Sequence, residues 1–320
     1  MLIDTLLLLL GLALIIAGAE WLVDGASAIA RKLRVSEFVI GLTIVGFGTS
    51  CPELVVSLTG AIAGNSDISI GNVIGSNIFN TLLILGVTAL IAPVAITRSN
   101  RRRDIPVTLL VTVLLVICGF SYTLFGLGTA DILSRVEGIV LLVLFAVYIF
   151  YSFKNDDGAS SQEEKPEKER HIAIAILLTL AGLAGLIFGG RWFVNSAVRI
   201  AGAIGVSDKF IAITLLAGGT SLPELAACIV AAARKKGQLA LGNILGSNIF
   251  NILLILGTSA VVSPISLGGV SIVDLLALLI SVVLVWLSSY TFKKNVIDRY
   301  EGAIFVLCFV AYYVWLFITL

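Results

Sequence analysis

Charge is scarce in this chain. Asp, Glu, Lys and Arg make up 13% of its 320 residues, against about 25% in an ordinary soluble domain. Hydrophobic residues make up 58%, and mean hydropathy is +1.08. A soluble fold of this length could not hide so much apolar surface. The 21 basic and 20 acidic residues nearly cancel, leaving a net charge of +1, so bulk electrostatics draw the chain to no nucleic acid. Histidine occurs once, as His171 beside a charged stretch, which disfavours any site built on a histidine cluster. Cys51, Cys118, Cys228 and Cys308 fall singly in apolar segments without paired spacing. Neither a disulfide framework nor a zinc site is expected from them. No nucleophile–base pair appears, so the chain does not read as an enzyme.

What fills the chain is apolar runs long enough to cross a bilayer, which takes about 20 residues each. Ten are expected, at about 2–23, 38–63, 70–93, 105–125, 133–153, 172–194, 208–233, 240–263, 271–292 and 301–319. The first has small residues behind it, as a signal peptide would, but no basic leading region, and it is read as a span. The polar stretch 154–171, KNDDGASSQEEKPEKERH, has nothing to bury and reads as a flexible linker between five spans and five. The expected organisation is therefore a first five-helix repeat at 1–153, a linker at 154–171 and a second repeat at 172–320.

The two halves repeat at an offset of 171 residues. GTSCPEL and GNVIGSNIFNTLLILG in the first half answer GTSLPEL and GNILGSNIFNILLILG in the second. Gly48, Glu53, Asn72, Ser76 and Asn80 match Gly219, Glu224, Asn243, Ser247 and Asn251; Trp21 and Ser36 match Trp192 and Ser207. Five spans per unit make the second copy enter from the opposite side, and Lys and Arg, which concentrate in cytoplasmic loops, provide an independent check. Loops 1–2, 3–4, 7–8 and 9–10 carry Arg31, Lys32 and Arg34; Arg98 and Arg101, Arg102, Arg103; Arg234, Lys235 and Lys236; Lys293, Lys294 and Arg299. Loops 2–3 and 8–9 carry none, while Arg135, Arg199 and Lys209 are exceptions. This pattern implies termini outside, a cytoplasmic linker, and an inverted repeat of the kind that places a substrate site near mid-membrane. The fold class expected is an all-α membrane protein with Pro-broken helices at its centre.

Glu53 and Glu224 each lie in an otherwise apolar span. A carboxylate at mid-span costs roughly 2.5–3.5 kcal/mol on insertion scales, and no Lys or Arg lies at matching depth to offset it. Pro52 and Pro223 lack an N–H and release carbonyls such as those of Gly48 and Gly219. Thr49 and Ser50, with Thr220 and Ser221, share a helix face with the acids. Carboxylate, hydroxyl and bare carbonyl together make a hard oxygen cage suited to Ca²⁺, Na⁺ or Mg²⁺. A lone membrane carboxyl can instead stay protonated and merely hydrogen-bond, but two in identical Pro-broken contexts disfavour that. Asn72, Ser76 and Asn80, and their twins Asn243, Ser247 and Asn251, recur every four residues as polar stripes, with helix–helix adhesion as the blander role. Gly71 and Gly75, like Gly242 and Gly246, form small-residue faces for close packing. Glu20 and Arg191 read as interface anchors.

The paired GTS-x-PEL and GN-x-x-GSNIFN segments closely resemble the alpha repeats of the sodium/calcium exchanger (calcium/sodium antiporter) family. The resemblance covers both repeats and the ten-span plan, so essentially the whole membrane part. It implies Na⁺/Ca²⁺ antiport by alternating access, with Glu53 and Glu224 as shared ligands alongside oxygens of Thr49 and Thr220. Ser50, Ser221, Ser76 and Ser247 are then Na⁺-site ligands, with Asn80 and Asn251 in the remaining polar positions. Some relatives carry an aspartate at one of the last two positions, tied to K⁺; both are amides here, which implies K⁺ independence. A family stoichiometry of three Na⁺ per Ca²⁺ makes the exchange electrogenic. Spans one and six become the moving pair by the same analogy. Ca²⁺ and Na⁺ are cargo and the bilayer is the solvent; no cofactor, nucleic acid or obligate protein partner is expected, and the linker is too short to fold as a Ca²⁺ sensor. The residues alone leave open a Ca²⁺/H⁺ antiporter on the same scaffold, which would run on a pH gradient without sodium, and a passive cation channel, which would need no counter-ion.

Overall fold

A computed structural model describes residues 2–126, 130–156, 171–204, 218–267, 269–291 and 295–319. Most of the proposed linker, the first part of the seventh expected span (208–217), Ser207, Lys209, Lys293 and Lys294 lie outside the described residues.

The described chain is almost wholly helical. Helix α1 spans Leu2–Leu33, and a bent pair follows: α2 (Glu37–Thr49) and α3 (Cys51–Ile62) meet at 48°. Then come α4 (Ser66–Ile91), α5 (Ile105–Gly119), the short α6 (Ser121–Phe125) and α7 (Arg135–Lys154). The second half contributes α8 (Ile172–Ala203), α9 (Leu222–Ala233), α10 (Gly237–Val262), α11 (Ile272–Ser288) and α12 (Arg299–Thr319). Six described helices, α1, α4, α7, α8, α10 and α12, are each long and apolar enough to cross a membrane, and α2–α3 makes a seventh if counted as one bent span. The chain is a multi-pass membrane protein.

Helix ends follow local chemistry. Ser36 caps α2, its Oγ accepting from Val39 N at 3.2 Å. Ser134 and Ser271 open α7 and α11 with reciprocal capping boxes to Glu137 and Asp274. Pro52 and Pro223 sit in the first turns of α3 and α9, where a missing N–H costs nothing. The expected "Pro-broken" helix is therefore a helix that stops at Ser50 (φ −82°, ψ 6°) and restarts around the proline. Both α1 and α8 run about nine or ten residues past their expected ends at 23 and 194, because loss of hydrophobicity is not a helix stop; α1 ends only at Arg34, with φ +57°.

Burial sorts the helices into centre and rim. The apolar window of α10 is 94% buried and that of α4 72%, against 17–28% for α1, α7, α8 and α12. The rim helices turn Leu, Ile, Val and Phe outward, among them Leu177, Val136, Val143, Phe150 and Leu307, the inverse of a soluble surface. Helices α1 and α8 meet backbone to backbone. A β-carbon on Gly11 would lie 2.7 Å from Phe193 N, one on Gly18 2.8 Å from Leu186 N, and one on Gly182 2.5 Å from Leu22 N. Gly11 and Gly18 recur as Gly182 and Gly189 at the 171-residue offset, so each helix presents the same glycines to its twin.

Further contacts pair off between halves. Gly138 of α7 packs on Gly257 O of α10, and Gly302 of α12 on Gly86 O of α4, each 2.8 Å from an added β-carbon. Gly86 and Gly257 keep the 171-residue offset, but Gly138 and Gly302 are 164 apart, as are RVEG and RYEG; a shorter loop before α12 accounts for the shift. Two small antiparallel pairings tie loops together: Val94–Ala95 with Val296–Ile297, and Ile132–Leu133 with Ile265–Ser266. The basic loops gather at one end of the bundle. Arg234 pairs with Asp24, Lys236 Nζ lies 3.2 Å from Glu37 Oε1, and Arg101 Nη1 donates to Asn295 Oδ1 at 2.6 Å. Ser266 N donates to Ser66 Oγ at 3.0 Å at the other end.

The two glycine faces differ in what they are seen to meet. Gly242 and Gly246 press on the backbone of Phe38 and Leu42 in α2. Among the described residues, nothing lies within 4 Å of a β-carbon placed on Gly71 or Gly75; the counterparts of Phe38 and Leu42, Lys209 and Ile213, lie outside them.

Candidate functional site

The break at Ser50 and the start of α9 after Ser221 set the following helix turns, with their acids, inside the bundle. Glu53 and Glu224 lie in the first turns of α3 and α9 and are 1% and 0% exposed. Helices α4 and α10 cross beside them and carry the polar stripes.

Hydroxyls cross between the halves. Ser50 Oγ donates to Glu224 Oε1 at 2.9 Å, and Ser221 Oγ donates to Glu53 Oε1 at 3.0 Å. Thr49 and Ser247 stand beside Glu224, and Thr220 beside Glu53. Each carboxyl group thus has one oxygen held by the opposite half. The other oxygen, Oε2 in both, is buried without a hydrogen-bond partner.

The same is true of Ser76 Oγ, Ser247 Oγ, Asn80 Oδ1, Asn251 Oδ1 and Thr220 Oγ1. A buried polar atom left unpaired costs about 1–3 kcal/mol, so unpaired oxygens are normally few and scattered. Among the described residues the remaining ones are Ser27 Oγ, Thr88 Oγ1, Tyr148 OH and Ser259 Oγ; the rest all belong to residues named from the sequence. These are oxygens without nitrogen or sulfur, the donor set of a hard cation. Among the described residues no three His, Cys, Asp or Glu come together, so any ion here would be met by two carboxylates and neutral oxygens.

The stripes divide by function. Asn72 turns its amide nitrogen to α3: its Nδ2 donates to Glu53 O at 3.1 Å and Ser57 Oγ at 2.9 Å, locking α4 to α3. Its twin Asn243 donates to Cys228 Sγ at 3.3 Å and accepts from Thr49 Oγ1 at 3.1 Å. Cys228 stands where the first half has Ser57, so the buried thiol is a weak acceptor within this lock. Val45 O, 3.0 Å from Thr49 Oγ1, shares that single hydroxyl hydrogen with Asn243 Oδ1.

Two features escaped the sequence reading. Asn77 and Asn248 reach across the join beside the stripes. Stretches of π-helix at Gly41–Val45, Phe79–Ile84 and Phe250–Leu256 hold Asn80 and Asn251 and loosen the backbone around the site, a local widening that recurs at functional sites. The doubled SNIFN, with two amides three residues apart, was the available signal for Asn77 and Asn248.

A family model described as "Sodium/calcium exchanger protein" matches residues 3–154 and 174–318. The chain belongs to the sodium/calcium exchanger family. Its relatives in that family cover nearly its full length: CaxA of Alkalimonas amylolytica is 39% identical over 99% of both chains, and the sodium/calcium exchanger MaX1 of Methanosarcina acetivorans 34% identical over 98% of this chain and 99% of its own. The solved structure of the sodium-calcium exchanger NCX_Mj, soaked with Na⁺ and no Ca²⁺, superposes with a TM-score of 0.84 at 34% identity, covering 97% of each chain. The exchanger family is one of transporters and not an enzyme class.

Proposed function

We propose that this chain is a secondary active antiporter that exchanges Na⁺ for Ca²⁺ by alternating access, electrogenically and without K⁺. The observation that carries this reading is the crossed pair of serine–glutamate bonds, each leaving one carboxylate oxygen buried and unpaired, as are the oxygens of Ser76, Ser247, Thr220, Asn80 and Asn251. Glu53 and Glu224 are the central ligands shared by both cations, with Thr49 and Thr220 beside them. Ser50, Ser221, Ser76 and Ser247 supply Na⁺ sites, and Asn80 and Asn251 complete the ring. With both acids ionised, one Ca²⁺ balances their charge; Na⁺ competes for the same oxygens, and an empty site keeps two facing charges that resist movement through the bilayer. Amides at 80 and 251, where a K⁺-linked aspartate would stand, favour K⁺ independence.

The scaffold in this reading is ten spans in two inverted repeats, 1–153 and 172–320, joined by a cytoplasmic linker at 154–171, with both termini outside. The exchanged glycine contacts, the mirrored loop pairings and the basic loops at one end support it. Helices α1 and α8 form the moving pair: they contribute no acid to the centre, and a smooth glycine seam joins them.

The test is ⁴⁵Ca uptake by proteoliposomes loaded with Na⁺, K⁺ or choline. Uptake with internal Na⁺ alone is the expected result. Equal uptake with every load would sink sodium coupling, and a repeat under a pH gradient would then separate proton exchange from a passive pore.

A further inference from the structure

An asparagine can bind a cation only through its amide oxygen; turned over, it presents two N–H groups and repels the ion. Oxygen and nitrogen are nearly the same size, so neighbouring hydrogen bonds alone decide the orientation. Asn80 and Asn251 each keep Oδ1 unpaired at the centre, and something must hold their nitrogens away.

We propose that Asn77 and Asn248, residues outside the ligand set, are positioning residues, each fixing the amide of the ligand asparagine in the opposite half so that its oxygen faces the ion. Asn251 Nδ2 donates to Asn77 Oδ1 at 2.9 Å, and Asn80 Nδ2 donates to Asn248 Oδ1 at 3.3 Å. The relay needs an anchor that cannot reverse. For Asn77 it is a backbone carbonyl, which only accepts: Asn77 Nδ2 donates to Asn248 O at 3.2 Å. That bond forces Asn77 Oδ1 toward Asn251 and so Asn251 Oδ1 toward the site. Asn248 Nδ2 instead donates to Thr81 Oγ1 at 2.7 Å, and a hydroxyl can serve either way. The counterpart of Thr81 is Ile252, so the anchors differ between halves and the Asn77–Asn251 arm is the more firmly set. All four asparagines are at most 1% exposed, so water does not compete for these bonds.

This rests on the ion-site reading above, and the experiment separates the two. Ca²⁺ is titrated calorimetrically into the full-length protein in detergent, and ⁴⁵Ca exchange is measured in proteoliposomes. If the wild type binds no Ca²⁺, the ion-site reading fails first. Given wild-type binding, Asn77→Leu removes the acceptor and is expected to weaken Ca²⁺ binding about tenfold, the worth of roughly one hydrogen bond. Asn77→Asp keeps an acceptor oxygen in either protonation state and is expected to stay within about threefold of wild type. In an Asn251→Asp background, whose carboxylate has two equal oxygens and nothing to misorient, adding Asn77→Leu is expected to change affinity by less than about twofold. Unchanged affinity in Asn77→Leu would overturn the proposal. So would an equal loss in Asn77→Asp, or a loss in the Asn251→Asp background as large as in wild type, since either marks a merely structural role.

Discussion

Ser50 and Glu224 lie 174 residues apart yet share a 2.9 Å hydrogen bond, and Ser221 returns the same bond to Glu53 at 3.0 Å. Each half thus holds the other's acid. Loss of either serine leaves a buried carboxyl with neither oxygen held by its donor across the join. A hydrogen bond to a charged group is worth about 1.5–3 kcal/mol, so Ser50→Ala and Ser221→Ala are each expected to raise the half-saturating Ca²⁺ concentration at least tenfold in uptake assays. The two effects should be of similar size because the bonds are mirror images. Glu53→Gln and Glu224→Gln, which remove the charge itself, are expected to abolish exchange. A strong defect at one serine with none at the other would rule out shared holding.

The glycine seam makes a second expectation. A side chain at Gly18 or Gly182 meets backbone of the opposite long helix, a β-carbon alone lying 2.8 Å from Leu186 N or 2.5 Å from Leu22 N respectively, and backbone cannot step aside. Overpacking of this kind costs typically 1–3 kcal/mol. Gly18→Val and Gly182→Val are therefore expected to lower the unfolding temperature in detergent and to slow exchange. Gly190→Ala, on the same helix but with nothing described within 4 Å, should do neither. If Gly182→Val exchanges at the wild-type rate, α1 and α8 are not the moving pair.

Much of this centre was legible in the sequence. Unpaired acids in apolar spans, doubled with their prolines, gave Glu53 and Glu224, and helical spacing gave the serines and threonines beside them. What stayed hidden needed contact across the join. Asn77 and Asn248 sit one step off the four-residue stripe, and only the meeting of α4 and α10 shows that they face the opposite half. Asn72 lies on the stripe but turns to the backbone of Glu53, a choice no periodicity encodes. Helix ends were the weakest part, since α1 and α8 stay helical where hydrophobicity fades and Asp24 finds Arg234. The counterparts α7 and α12 are hidden from a search at one fixed offset, because RVEG and RYEG stand 164 residues apart and not 171.

Topology can be checked by labelling. In a variant with its four native cysteines replaced, single cysteines at Arg102 and at Asn65 would sit at opposite ends of the bundle. A membrane-impermeant maleimide added to intact cells is expected to label Asn65→Cys and to label Arg102→Cys only after permeabilisation, since basic loops stay cytoplasmic. The reverse pattern would invert the orientation while leaving the fold intact. Labelling of both from one side would refute α4 as a span.

The stoichiometry that the family resemblance implies, three Na⁺ per Ca²⁺, makes the proposed exchange electrogenic, and this can be read directly. With that ratio, Ca²⁺ entering a vesicle would carry two charges inward and three Na⁺ would carry three outward, so one net positive charge would leave per cycle. Moving one charge through 100 mV is worth about 2.3 kcal/mol, about 50-fold in the Ca²⁺ ratio reached at equilibrium. Sodium-loaded vesicles clamped interior-positive are therefore expected to accumulate more ⁴⁵Ca than unclamped ones, and interior-negative vesicles less. Accumulation indifferent to voltage would mean that charge balances in each cycle, as with two Na⁺ or two protons per Ca²⁺. In that case the serine, threonine and amide oxygens around the two acids would have to accommodate one fewer Na⁺ than the proposed ligand set provides.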